Sequence, residues 1–257
     1  MLIDTHAHIY MLENPEMGII EARNSGVDEI IIPSASEADF EPILDLCHRF
    51  DKTYALLGVH PEDCEKFSDS TAKKIIEFAK DEKVVGIGEI GLDYHYSKEN
   101  KDIQKNCFIN QIEIAKMLNL PIVVHDRDAH FDTLEILKST NAQNVLLHCY
   151  SGSVEFMKEC CSLGYKIALG GVVTFKNALE PKRVAQEVDI NDLMLETDCP
   201  YLTPHPFRGQ ENSPKYIGFT AKEIAKLRNI TYDSVCVATS NNARKFFRLS
   251  DKIEEEI

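Results

Sequence analysis

Short apolar runs rich in Ile, Val and Leu recur along the chain, and each is separated from the next by an amphipathic stretch. The runs predict strands at Leu2–Asp4, Asp28–Pro33, Tyr54–Val59, Val84–Glu89, Pro121–His125, Asn144–His148, Tyr165–Leu169 and Leu193–Thr197. Most are continuously apolar and do not alternate with polar residues, which is the pattern of strands covered on both faces in a parallel sheet. The intervening stretches carry helical periodicity. In Ile103–Leu118, for example, Phe108, Ile112, Ala115 and Leu118 fall on one face. Gly26 and Gly164 follow the last periodic residues of two further helices and are predicted to end them. Eight β–α units without a break in composition predict an α/β chain folded as one TIM-type (β/α)8 barrel over residues 1–250, followed by a short acidic tail at 251–257. An open doubly wound sheet is the competing arrangement. Its first β–α turn should carry Gly-x-Gly-x-x-Gly, whereas the turn after Asp4 carries histidines.

Composition narrows the class. At 257 residues the chain suits a single barrel, which takes about 250. No apolar run approaches the ~20 residues of a membrane span. His6 and His8 stand where a secretory signal would need apolar residues, and the eight cysteines form no Cys-x-x-Cys pair. Both features lead us to expect a cytoplasmic protein with reduced thiols and no membrane association. The 28 basic and 42 acidic residues leave a net charge of −14, which argues against a broad basic face for nucleic acid. A nuclease whose metal ions supply the positive charge stays open.

The unusual polar residues gather at the predicted strand ends. His6 and His8 close the first strand, His60 the third, Glu89 the fourth, His125 the fifth, His148 the sixth and Asp198 the eighth. Barrel active sites form at the C-terminal ends of strands, so these positions converge on one mouth. One such histidine would be read as a core or capping residue; the whole set calls for a common cause, and metal binding supplies one. In His6-x-His8 the two-residue repeat of a strand turns both imidazoles the same way. The expected arrangement is two divalent ions (Mg, Mn, Zn or Co), one on His6, His8 and Asp198, the other on His125 and His148. Glu89 bridges them, because a carboxylate has two oxygens to offer. Such a pair can activate a water and stabilise the leaving oxygen of a phosphodiester. Asp198 is expected to combine ligation with proton acceptance, making Asp198 and Glu89 the catalytic carboxylates.

These motifs resemble the TatD family of metal-dependent deoxyribonucleases, within the wider amidohydrolase-type barrels. The matching segments are Ile3–His8, Gly58–Pro61, Gly86–Tyr94, Pro121–Arg127, His148–Gly152, Leu195–Leu202, Pro206–Gly209 and Asn242–Phe247, in order along nearly the whole chain. The resemblance implies a TIM-type barrel, dependence on divalent metal, the ligand set above and hydrolysis of phosphodiester bonds, expected as 3′–5′ exonuclease action on single-stranded DNA ends. No obligate protein partner is expected from the sequence, and a monomer is compatible with it. One segment departs: where the family reads Asn-Glu-Pro, this chain has Asn212-Ser213-Pro214, so a carboxylate is missing from a loop expected at the mouth.

Further substrate contacts are expected from His60, Arg127, Tyr150 and Arg208. His60, ahead of a proline, reads equally as a turn residue or as a group beside the substrate phosphate. Arg127 and Arg208 suit charge-assisted phosphate binding, against the ordinary reading of solvated arginines. Tyr94 and Tyr150 could stack on a base, although aromatic residues at loop starts commonly pack. Cys149 and Cys199 are expected to turn away from the ions as small apolar filler. A metal-dependent hydrolase of an ester or amide, such as one deacylating D-aminoacyl-tRNA, is the competing enzyme reading, since the ligands cannot distinguish the bonds. A phosphoesterase of the PHP type should show a late Asp-x-His, and Asp198-Cys199-Pro200 does not. A metal-stabilised scaffold is disfavoured, because structural zinc sites are closed four-ligand sets.

Overall fold

The computed structural model describes residues 1–96 and 99–249. Its eight strands are β1 (Leu2–Asp4), β2 (Val27–Pro33), β3 (Thr53–Leu57), β4 (Val84–Asp93), β5 (Ile122–Arg127), β6 (Val145–Leu147), β7 (Lys166–Leu169) and β8 (Leu193–Leu195). They pair in parallel in the order β1 to β8. The ring is drawn together where Thr5 N donates to Leu195 O at 3.1 Å and Asp198 N to His6 O at 2.9 Å. Helices α1 (Pro15–Asn24), α2 (Phe40–Arg49), α3 (Asp69–Phe78), α4 (Lys101–Leu118), α5 (His130–Ser139), α6 (Val154–Ser162), α7 (Leu179–Glu187) and α8 (Ile217–Arg228) follow the strands in turn, and α9 (Tyr232–Phe247) ends the described chain. The chain is thus the expected TIM-type barrel, and the acidic tail expected at 251–257 lies outside the described residues. No helix among the described residues is long and apolar enough to cross a membrane.

Two apolar layers explain the continuously apolar strands. Every strand sends a residue into the barrel interior: Ile3, Ile31, Tyr54 and Leu56, Val85, Val123, Leu146, Ala168 and Met194. Ala243 and Phe247 of α9, with Leu249, close the floor beneath them. The alternate residues, such as Ile30, Ile32, Val124 and Leu147, face outward onto Ile19, Phe40, Phe108, Ile112 and Ile224 of the helices. The closing motif therefore serves the fold. Asn242 Nδ2 donates to Ile190 O and Leu193 O at 2.7 and 2.8 Å, and Arg244 pairs with Glu29 and Asp28 at 2.7 and 2.9 Å. Gly26 and Gly164 stand just past α1 and α6 at φ of +88° and +84°, as a helix-ending residue should.

The strand ends differ from expectation where they matter most. Pairing of β3, β6 and β8 stops before His60, His148 and Asp198, so these side chains stand on the loops leaving the barrel. β4 instead runs past Glu89 to Asp93, because Asp93 still pairs with Arg127 of β5.

Candidate metal centre

The strand pleat carries four of the site residues to the mouth. Leu56, Val123, Leu146 and Met194 point into the barrel, and steps of two from them along the chain reach His60, His125, His148 and Asp198. Glu89 needs a different device. The register shifts between Ile87 and Ile90, whose partners are Ile122 and Val124, so β4 carries an extra residue there and its side chains are re-aimed. Just beyond, Gly91 sits at φ +144°, and a Cβ on it would lie 2.0 Å from His125 O. Only glycine permits that approach of β4 to β5. His6 and His8 follow β1, and the buried Asp4 carboxylate fixes their backbone by accepting from His6 N at 3.3 Å and from Thr197 N at 3.0 Å.

The two oxygens of Glu89 face two sets of imidazoles. Oε2 lies 3.2 Å from His6 Nε2 and 3.3 Å from His8 Nε2. Asp198 Oδ1 is 3.7 Å from His8 Nε2 and 4.0 Å from His6 Nε2. Oε1 lies 2.7 Å from His125 Nδ1, 2.8 Å from His148 Nε2 and 3.5 Å from His60 Nε2. His6 and His8 bring their Nε2 atoms to 3.3 Å of each other, and His148 Nε2 is 3.4 Å from His125 Nδ1. The His6 and His148 rings stack at 3.8 Å. Ligands about 2.1 Å from a divalent ion in a tetrahedral shell are about 3.4 Å apart, so both sets fit the first shell of a cation. The chemistry fits as well, because converging imidazole lone pairs and carboxylates in a buried pocket need a positive charge among them.

The ionisation of the site follows from burial and these contacts. Burial alone would raise Glu89, but the imidazoles of His148, His60 and His6 win and hold it well below its ordinary value. Burial drives His6 well below its own ordinary value. It also opposes protonation of His125 and His148, yet hydrogen bonds to Asp93 and Glu89 raise His125 to about 9, and the nearby charges of Glu89 and Glu196 raise His148 well above its usual range. Burial raises Asp198 to about 6, against the pull of His148 and His8. Asp93, which burial would raise, is brought down to about 2 by its hydrogen bonds to His125 and to the Tyr96 and His95 amides.

Outer contacts set the ring nitrogen that His125 and His60 present. Asp93 Oδ2 lies 3.0 Å from His125 Nε2, which leaves Nδ1 for the centre. Tyr10 Oη is 3.5 Å from His8 Nδ1 and 3.5 Å from Asp39 Oδ2. The fully buried Glu196 stands 3.7 Å from His148 Nδ1 and accepts from Cys149 N at 2.6 Å. His60 Nδ1 accepts from the Glu62 amide at 3.2 Å and heads the turn Pro61–Lys66, so its proton resides on Nε2, the atom aimed at Glu89. The turn reading of His60 holds, and its Nε2 stands 3.5 Å from Glu89 Oε1 at the edge of the site.

The other expected contacts fare differently. Arg127 ends β5 beside the site, its Cζ 4.7 Å from the Tyr96 ring. Tyr150 is a correction: it is 6% exposed, its hydroxyl donates to Ser153 O at 2.8 Å and its ring stacks beside Phe156, so it packs the start of α6. Tyr94 is similarly occupied, donating to Asp132 at 2.7 Å. Arg208 is held in its own loop, donating to Thr203 O at 3.1 Å and lying 3.8 Å from the Phe175 ring. Ser213 is buried, so the carboxylate missing there is missing from the interior of a loop and not from an open rim. Cys199 is buried as expected, whereas Cys149 is half-buried at φ +44° near Asp198, Glu196 and Glu89, because the left-handed backbone breaks the alternation that was to turn it away. Sequence reasoning gave no role to Asp93, Glu196 or Asp4. The two-residue repeat was the available signal, since Asp93 continues the series Glu89, Gly91 and Glu196 precedes Asp198 in phase.

The family model for TatD related DNase matches residues 3–248. An uncharacterized metal-dependent hydrolase of Bacillus subtilis, YabD, is 41% identical over 256 residues, covering 97% of this chain and 100% of its own. YcfH of Escherichia coli, also an uncharacterized metal-dependent hydrolase, is 32% identical over 262 residues, with 96% of each chain covered. Among solved structures, the TatD homologue YjjV of E. coli superposes with a TM-score of 0.91 at 30% identity, over 96% of this chain and 98% of that one.

Proposed function

The chain belongs to the TatD-related DNase family of metal-dependent hydrolases, and on that premise we propose that it is a deoxyribonuclease, cutting phosphodiester bonds at single-stranded DNA ends in the 3′–5′ direction. The metal-dependent part of this reading rests on the division of Glu89, whose Oε2 faces His6 and His8 while Oε1 faces His125 and His148; the phosphodiester part is supported by the match to the TatD related DNase family. His6, His8 and Asp198 would hold one divalent cation, His125 and His148 a second, and Glu89 both. Cations there would supply the charge that makes water nucleophilic near neutral pH and offsets the charge of the scissile phosphate.

The chain's own groups do the rest. Asp198, beside His8, accepts the proton of the attacking water. His60 Nε2–H and the Arg127 guanidinium donate to phosphate oxygens. Asp93 keeps the His125 lone pair on Nδ1. The thiol content and spacing support a cytoplasmic setting.

Purified protein in Mg, Mn, Co or Zn is offered end-labelled single-stranded and duplex DNA, together with D-aminoacyl-tRNA. Stepwise shortening of single strands from the 3′ end supports the proposal. Deacylation without DNA cleavage replaces it with the ester reading, and release from the 5′ end reverses the polarity.

A further inference from the structure

The carboxylate that holds the His125 ring also holds the turn after β4. While Asp93 Oδ2 contacts His125, Asp93 Oδ1 accepts from the amides of His95 at 2.8 Å and Tyr96 at 3.1 Å. Tyr94 N donates to Arg127 O at 2.9 Å, and Arg127 is the register partner of Asp93. Tyr96 is thereby anchored beside the mouth through its backbone, yet it is 67% exposed.

A single exposed tyrosine carries no message; its neighbour does. The Arg127 guanidinium lies against the Tyr96 ring, and among the described residues it enters no ion pair and donates to no protein oxygen. Arg49, Arg183 and Arg244 pair with carboxylates, and Arg23 and Arg228 donate to backbone carbonyls. Arg208 and Arg248 also donate to backbone carbonyls, so among the described arginines Arg127 alone has neither an ion pair nor a protein oxygen to donate to. Arg127 is rooted two steps along β5 from His125, so its free donors stand at the centre's edge. A guanidinium edge suits phosphate oxygens, and the exposed Tyr96 ring, which the His95 ring meets near-perpendicularly at 4.9 Å, leaves surface that suits a nucleobase.

We infer that Tyr96 is a stacking platform for the base of the nucleotide adjoining the scissile phosphate, and that Arg127, packed against the same ring, takes that nucleotide's own phosphate. The inference rests on the nuclease reading and adds a reason for strand preference. A base inside a duplex has both faces covered by its neighbours, whereas an unpaired end can offer one to Tyr96.

The test uses single-stranded oligonucleotides carrying one tetrahydrofuran abasic residue at successive positions from the 3′ end, cleaved by the wild type, Tyr96→Ala and Tyr96→Phe. For the wild type, an abasic residue at one position near the cleaved bond should lower kcat/KM about tenfold. Tyr96→Ala should lose a similar factor on the intact strand and become indifferent to that abasic residue, while Tyr96→Phe keeps the discrimination. A wild type equally active on every abasic strand, or a Tyr96→Ala enzyme that discriminates as the wild type does, overturns the inference alone. A wild type that cleaves no intact oligonucleotide with any of the cations overturns the nuclease reading and this inference with it.

Discussion

The Thr197 hydroxyl donates to Asp4 Oδ2 at 2.6 Å, across the junction of the first and last strands. Asp4 Oδ1 reaches the amides of His6 and Thr197 at the same place, and Asp198 N donates to His6 O. One buried carboxylate thus closes the barrel and aligns a histidine and an aspartate of the metal centre, which follow the first and the last strand.

Thr197→Val keeps the shape and deletes the hydroxyl. Leaving Asp4 short of a buried partner should cost about 1–3 kcal/mol, lowering Tm by about 2–4 °C for each kcal/mol in a chain of this size. Calorimetry reads the first effect and metal titration the second, which is weaker binding through misaligned His6 and Asp198. Wild-type values of both would show that the junction does not depend on this contact.

Asp93→Asn should damage the centre without unfolding the barrel. An amide has one oxygen for the His95 and Tyr96 amides, and its NH2 then faces His125 Nε2. That nitrogen must become an acceptor, which moves the ring proton to Nδ1 and points it at Glu89. Metal affinity should fall about 10–100-fold, the usual size of such outer-contact losses. Competition with a chelator measures it, and unchanged affinity would mean that Asp93 does not set the His125 tautomer.

Asp198→Asn and Glu89→Gln should separate ligation from proton transfer. Losing the Glu89 charge loosens the cations, so activity should partly return at high metal concentration. Asp198→Asn keeps a coordinating oxygen but no base, so single-turnover cleavage should stay about 10²–10⁴ below the wild type at any metal concentration. Full rescue of Asp198→Asn by metal would make Asp198 a ligand only.

The metal-free protein should lose stability as pH rises from about 6 to 9. Burial raises Asp4 to about 8, and hydrogen bonds to Asp93 and Glu89 raise His125 to about 9 despite burial. Groups raised in the folded state stabilise it below their unfolded values, and that contribution disappears as pH climbs through the folded ones. The lowered Glu89 and Asp93 are ionised throughout this window and add no slope, while the lowered His6 adds an opposite slope only at its acid end, where the unfolded imidazole still binds a proton. Denaturant melts in excess chelator should show the decline. Added divalent cation should reverse it, because ligation replaces the protons of His125. Stability that increased with pH would contradict the sign.

The alternation of apolar runs and helical stretches was legible because it is local. A strand covered on both faces must be apolar along its length, and Val123–Val124 and Leu146–Leu147 show it without reference to any other segment. The convergence of His6, His8, Glu89, His125, His148 and Asp198 was legible for a related reason, since a closed parallel barrel sends every strand end to one rim. What the sequence could not decide depends on neighbours distant along the chain. Tyr150 was expected at the substrate but packs against Phe156, because a loop residue's direction is set by the helix it meets. The extra residue at Gly88–Glu89 is defined only by its pairing with β5. Whether His125 offers Nδ1 or Nε2, and whether Asp93 has any role, follows from the continuation of β4 beside β5 to Arg127. That is a matter of register between strands, and period and composition within either strand do not encode it.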